Sequence, residues 1–405
     1  MDQAASPSQR IINGEFLALN AILFISYCNV ALFFQFHDYL GTLPIEKEWF
    51  GFLIAVFSLV VLVVRPGISP FLNTGNASFW IGASCLLMIP TLLCYAAAQH
   101  LWTMTLVRIV HGIAYVVMVT ALTSRLVACI PSDRSAQFFS LISVMTLLPY
   151  AVIPPVLDPL TRFAGGFQYV LMLSAIPIIA VFPLLRLFIK PAKGSEDARR
   201  EQVTRREICR NLQDPPIFLM LILSLLLWAT FTPVFFFLRG YGKELNIPNP
   251  GWFFTLSTLT EIGVRLLAGS FFDRLNKPKA LAFSFLWLTA GYLVLANVGG
   301  GYALYSLGLL LGIGWGVALP VLSGLIFDFS PLKFRALNTN LSMVMFQGGY
   351  FLGPLAGGFL IIHGGYGRML YVCGGVLTIC AIVSALLSII GKGRAAAATE
   401  PVRPR

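Results

Sequence analysis

Charge is what this chain has least of. Only 11% of its 405 residues are Asp, Glu, Lys or Arg, while 57% are hydrophobic; a soluble globular protein carries about 25% charged residues. So little polar surface cannot cover a soluble fold of this length, which excludes an ordinary soluble enzyme and points to a polytopic membrane protein. No G-x-x-x-x-G-K-[ST] loop is present to hold nucleotide phosphates, so an ATP-driven pump is excluded and an ion gradient is left as the energy source. The seven cysteines (Cys28, Cys85, Cys94, Cys129, Cys209, Cys373 and Cys380) form no C-x-x-C pair. Most lie in apolar runs, where packing is the expected role. With no metal-ligand cluster and no nucleophile motif on a loop, the expectation is no enzyme, no metal and no cofactor. The formal charge of +11 could suggest nucleic acid, but the basic residues fall in short loops between apolar runs, where they set membrane orientation.

What is present is a series of apolar runs, each of about 20 residues or more, enough to cross roughly 30 Å of hydrocarbon as a helix. They lie near 16–40, 49–71, 79–98, 101–124, 137–160 and 168–190, then near 216–239, 251–272, 279–298, 302–327, 338–362 and 368–391. Barrel strands are shorter and alternate, so the fold class is an all-α membrane protein of twelve transmembrane helices. Two six-helix bundles, 1–190 and 216–391, are joined by a polar linker at 191–215, and a tail follows at 392–405. Met1 to Gln9 carries no basic residue and no cleavage site precedes a soluble domain, so the first run is read as an uncleaved anchor. Arg10, Arg134, the stretch 190–210, the Arg274/Lys277/Lys279 turn, Lys333/Arg335 and the tail share one side. That basic side is expected to be cytoplasmic, with both termini inside.

The chain reads as a duplication. Arg65 and Asn73 recur at an offset of 200 as Arg265 and Asp273, Gly112 as Gly312, Pro154 as Pro354, and Arg134 at an offset of 201 as Arg335. A parallel repeat of this kind places a substrate site between the halves near the bilayer midplane.

Three stretches carry a resemblance. Gly269-Ser-Phe-Phe-Asp273-Arg274-Leu-Asn-Lys277-Pro-Lys279 resembles the loop G-x-x-x-D-R-x-x-[RK] between the second and third helices of a half in the major facilitator superfamily. Leu106-Val-Arg108-Ile-Val-His111-Gly112 is similar to that family's fourth-helix arginine motif of proton-coupled members. Gly353-Pro354-Leu-Ala-Gly357-Gly358 resembles the GPxxGG motif of antiporters. With Arg65-Pro66, the likeness is greatest to bacterial drug-efflux and arabinose-efflux-permease-like members, and it covers the whole chain. It implies a major facilitator fold in a bacterial inner membrane, exporting a small organic or amphipathic molecule by proton-coupled antiport. The first-half loop has lost its charges, keeping Asn73 and Gly75, and the GPxxGG copy stands in the eleventh run instead of the fifth. That displacement keeps proton-coupled uptake open as the alternative. A non-transporting receptor or enzyme would need a catalytic cluster or signalling domain. The expected partners are a small-molecule substrate, protons and the lipid bilayer, with the chain acting as a monomer and no nucleic acid.

The polar residues inside apolar runs are the candidate site, because charge there is costly unless used. Arg108 lies in the fourth run with His111 and Tyr115 on the same face, and Gly308 is its uncharged repeat counterpart. A coupling or substrate role is weighed against a structural ion pair. Asp38 shares a stripe with Gln35, Tyr27 and Asn20, and is expected to pair with Arg108 as a protonation switch, or else to be an interface residue. Glu261 and Arg265 are spaced for a direct pair, serving either proton coupling or structural support. Proton coupling is therefore assigned to Asp38, Arg108, His111 and Glu261. The gate and loop motif comprises Arg65, Asn73, Arg265, Gly269, Asp273, Arg274, Gly353 and Pro354. Substrate lining is assigned to Tyr27, Gln35, Tyr115, Trp228, Thr232, Phe235, Trp315, Asn340, Gln347 and Tyr350, with packing as the alternative for the aromatic ones.

Overall fold

Proline, glycine and asparagine set the ends of the helices. The computed structural model describes residues 14–130, 135–189, 205–272 and 275–399. Among them are twelve long helices: α1 Gly14–Leu40, α2 Lys47–Ile68, α3 Ala77–Cys94, α4 Leu101–Ala128, α5 Ser135–Ala164 and α6 Phe167–Phe188. After a short helix Arg205–Leu212 come α7 Pro215–Glu244, α8 Trp252–Phe272, α9 Lys277–Leu295 and α10 Gly301–Phe329. The final helical run Arg335–Thr399 breaks at Gly365, whose φ of 73° no other residue type adopts cheaply, giving α11 (335–364) and α12 (366–399). Gly165 and Gly166, also at positive φ, turn α5 into α6. Pro215 begins α7, where a missing N–H costs nothing, and the Asn276 side chain accepts from the Lys279 N–H to cap α9.

Ten stretches are long and apolar enough to cross a bilayer among the described residues. One of them, Leu337–Leu387, is 51 residues long and contains both α11 and α12. Every apolar run of the sequence lies on one of the twelve helices, but α8, which carries the run 251–272, is not among those ten stretches. The third run ends earlier than expected, because residues 95–97 form a turn. The sixth is not one smooth helix but three pieces, Phe167–Leu173, Ala175–Ile179 and Val181–Phe188. Arg10, Arg134, Asp273 and Arg274 lie outside the described residues, as does most of the linker. Gly269 is described only as part of α8.

The first six helices and the last six meet along two seams. In one, α2 lies on α11, so close that a Cβ added to Gly51 would stand 2.8 Å from the Pro354 carbonyl oxygen. In the other, α5 lies beside α8. There the Thr255 hydroxyl donates to the Ala151 carbonyl at 2.6 Å, and a Cβ on Gly251 would meet the Pro154 carbonyl at 2.4 Å. α1 faces α7 between the seams, with Phe34 packed on Phe235 of α7 and on Phe254 of α8. The end of the molecule where α1 and α7 begin is the terminal end; the other is the distal end.

Candidate functional site

Between the halves lies a small cavity of about 30 Å³, large enough for a few water molecules. Tyr27 of α1, Ser58 of α2, Arg108 and Tyr115 of α4 and Tyr150 of α5 line it from one side; Gln347 and Tyr350 of α11 line it from the other. Aromatic rings complete the wall. Phe57 lies 5.2 Å from Tyr115, Phe346 lies 4.7 Å from Tyr350, and the Tyr27 and Tyr150 rings meet edge-on at 6.5 Å. The Tyr27 hydroxyl faces that of Tyr115, and Tyr150 faces Tyr350 across the halves. Five of the fourteen residues given coupling or lining roles from sequence therefore border one space: Tyr27, Arg108, Tyr115, Gln347 and Tyr350. Tyr150 was missed because the proline-rich α5 hides its periodicity.

The other expected lining residues have different partners. Gln35 accepts from the Thr161 hydroxyl at 2.9 Å, joining α1 to α5. Thr232 donates to the Gly349 carbonyl, and Phe235 packs edge-on against Tyr150. Trp228 backs the cavity from behind Phe346, at 4.5 Å. Trp315 is buried against Phe231, its indole N–H unpartnered, and Asn340 is exposed away from the cavity.

The expected Asp38–Arg108 pair does not form. Arg108, only 2% exposed, donates through Nε to the Leu53 carbonyl at 3.0 Å and through Nη2 to the Ile54 carbonyl at 2.8 Å. Its guanidinium lies among the rings of Phe33, Phe36 and Phe57, at 4.4, 4.9 and 4.9 Å. Cation–π contacts and helix carbonyls thus satisfy it locally. His111, fully buried, bridges Tyr95 at 3.0 Å and Asn29 at 2.8 Å. A neutral ring that donates from Nε2 to the Asn29 carbonyl oxygen and accepts at Nδ1 from the Tyr95 hydroxyl meets both partners.

Asp38 is instead committed to the distal end. Arg239 of α7 donates one guanidinium nitrogen to Asp38 and the other to Asp158 of α5, and Lys243 reaches Asp38 at 2.7 Å. His37 lies against the same carboxylate at 3.7 Å. Two acids of the first half thus clasp one arginine of the second. The sequence carried a signal for this: Asp38 and Arg239 are 201 residues apart, within one residue of the main repeat offset. They occupy equivalent places in two related helices, with opposite charge.

At mid-span, Glu261 of α8 is buried and paired with Arg265, which also donates to the Ser143 hydroxyl of α5 at 2.8 Å. Asn73 and Asn76 bond reciprocally, Asn73 N to Asn76 Oδ1 at 2.9 Å and Asn76 N to Asn73 Oδ1 at 3.0 Å. Arg125 of α4 steadies that turn, bonding the Thr74 carbonyl at 3.2 Å and Glu15 at 2.6 Å. Gly353 and Gly357 press on α7 and Gly358 on Gly51, so the G-P-x-x-G-G stretch serves close helix packing. Among the described residues the Arg65 side chain forms no ion pair or hydrogen bond.

A space between two helical halves, closed by ion pairs at one end, is the arrangement that secondary transporters use. A sequence profile of the Major Facilitator Superfamily matches residues 16–250 and 242–403. The chain belongs to that family, and it is a transporter fold and not an enzyme. Solved structures agree on the fold. A bacterial homologue of the human lysosomal transporter Spinster, inward-facing and unoccupied, superposes with a TM-score of 0.77 at 13% identity, covering 92% of this chain and 96% of that one. The same protein inward-facing and occupied gives 0.74 at 12% identity, with the same coverage. The nucleoside transporter NupG gives 0.70 at 15% identity, covering 93% and 98%. No curated protein matches the sequence.

Proposed function

We propose that this protein is a proton-coupled exporter of a small organic molecule, working by alternating access between bundles 1–190 and 216–391. On this reading it spans a bacterial inner membrane twelve times as a monomer, with both termini cytoplasmic, and the distal end faces out. The observation that carries the coupling is Glu261, an acid buried at mid-span whose partner Arg265 also holds Ser143 of the opposite half. Protonating Glu261 removes the charge that holds Arg265, so the proton acts directly on a contact between the halves. Among the described residues Arg108 has no carboxylate partner, so the acids available for coupling are Glu261 and, at the distal clasp, Asp38 and Asp158. Asp38 and Asp158 are freed from Arg239 only when the distal end opens, which is when they can take protons from outside.

Purified protein in liposomes, assayed with a compound panel with and without an imposed pH gradient, tests this. Accumulation that follows the gradient in the exchange direction is expected. Movement of substrate together with protons makes the protein an uptake symporter instead, and gradient-independent movement removes coupling altogether.

A further inference from the structure

We propose that the central cavity, enlarged from its present volume of about 30 Å³ when the halves part, takes an organic anion, its carboxylate or phosphate held by Arg108 and the surrounding hydroxyls. The inference rests on the transporter reading and names its class of cargo.

The charge around the cavity is one-sided. Arg108 borders it, and no carboxylate does. Among the described residues the other charged groups of the interior are matched: Glu261 with Arg265, Asp38 and Asp158 with Arg239, Glu15 with Arg125. Arg108 alone is buried without an acid. A buried guanidinium is a poor stabiliser, since an apolar side chain of similar volume serves packing as well or better. Its partners, the Leu53 and Ile54 carbonyls and the Tyr95 hydroxyl, are all neutral, so its charge is left uncompensated.

The route to the cavity carries the same sign. Ile54 and Ser58 line the cavity from α2. Steps of three and four residues along that helix lead from Ser58 to Val61 and Arg65, on the same face and nearer the terminal end. Among the described residues the Arg65 side chain forms no ion pair or hydrogen bond, and its charge acts on the Tyr27 and Tyr115 hydroxyls. On the facing side Glu261 is paired with Arg265, and its charge acts on the Tyr350 hydroxyl alone among the cavity tyrosines. A path with two unmatched arginines attracts anions and repels cations. The tyrosine hydroxyls, Ser58 and the Gln347 amide all donate hydrogen bonds to an anionic oxygen, and Phe57, Phe236 and Phe346 offer faces for a planar body.

Thermal stabilisation of the purified full-length protein provides the test. The probes are benzoate, indole-3-acetate and phenyl phosphate, set against benzamide, indole-3-acetamide, benzylamine and tryptamine. At least one anion should stabilise the protein, with its amide and amine counterparts about tenfold weaker or more. Carboxylate against phosphate ester then identifies the acid group. Arg108→Gln should lose about 10- to 100-fold in affinity, and Arg108→Lys should recover part of it. Arg65→Gln removes no hydrogen bond, so it should fold normally while weakening anion binding and its salt dependence. Amides or amines binding as well as the acids overturns the proposal, as does absence of binding by every anion, or an Arg108→Gln variant with unchanged affinity. Counterflow in liposomes separates this from the transport reading. An anion that binds and is not carried refutes transport alone, and an amine that is carried refutes the anion site alone.

Discussion

Replacing Arg239 with Gln should open the distal end. Arg239 is 9% exposed in its side chain, Asp38 11% and Asp158 30%, so the clasp is largely but not wholly withdrawn from water. Removing one partner of a buried, hydrogen-bonded charge set costs about 2–5 kcal/mol. The exposure of Asp158 and the remaining Lys243–Asp38 contact bring this to the lower half, about 2–3 kcal/mol. The clasp exists only when the distal end is closed, so that whole difference acts on the gating equilibrium, a shift of roughly 30- to 150-fold toward the open form. Ser58 borders the cavity, and Ser58→Cys in a background without the native cysteines reports on access. In right-side-out vesicles, Arg239→Gln should raise its labelling rate by an impermeant maleimide applied from the distal side by at least about tenfold. Combined with Asp38→Asn the effect should be less than additive, because both remove the same contact. An unchanged labelling rate would refute the clasp as a gate.

Glu261→Gln should abolish accumulation driven by a pH gradient while sparing exchange of substrate across the membrane, measured as counterflow. Gly353→Ala should destabilise the protein by about 1–3 kcal/mol, read as a lower melting temperature, because the new Cβ would lie 2.0 Å from the Thr232 hydroxyl and 2.7 Å from the Ala229 carbonyl.

Much of this was legible in the sequence. The helices follow from uninterrupted apolar runs, since the backbone in lipid must bond to itself. The cavity tyrosines Tyr27, Tyr115 and Tyr350 stand out because a hydroxyl in an apolar face needs a partner. The pairing of charges was not legible from depth alone. Arg108 and Asp38 both lie in outer halves of their helices, yet Arg108 turns onto the carbonyls of α2, and nothing in its own helix announces those acceptors. Asp38 meets Arg239 because equivalent helices of a duplicated chain face each other across their shared axis, so offset and charge together would have predicted it. Asp158 sits near the end of the fifth apolar run among Pro154, Pro155 and Pro159, and nothing in that run marks it as a partner for an arginine of the other half.

An anionic cargo makes the direction of transport measurable electrically. If the anion leaves as a proton enters, each cycle carries two positive charges inward. One charge crossing about 100 mV is worth about 2.3 kcal/mol, so two give about 4.6 kcal/mol, enough for a concentration ratio of roughly 2,000. If the anion instead enters with one proton, no net charge moves and the potential does nothing. Liposomes loaded with the stabilising anion and clamped with potassium and valinomycin distinguish the two. For the molecules whose terminal end faces the lumen, an interior-negative potential should drive anion efflux at constant pH. Indifference to the potential would favour uptake, and would place the proton and the anion on the same stroke of the cycle.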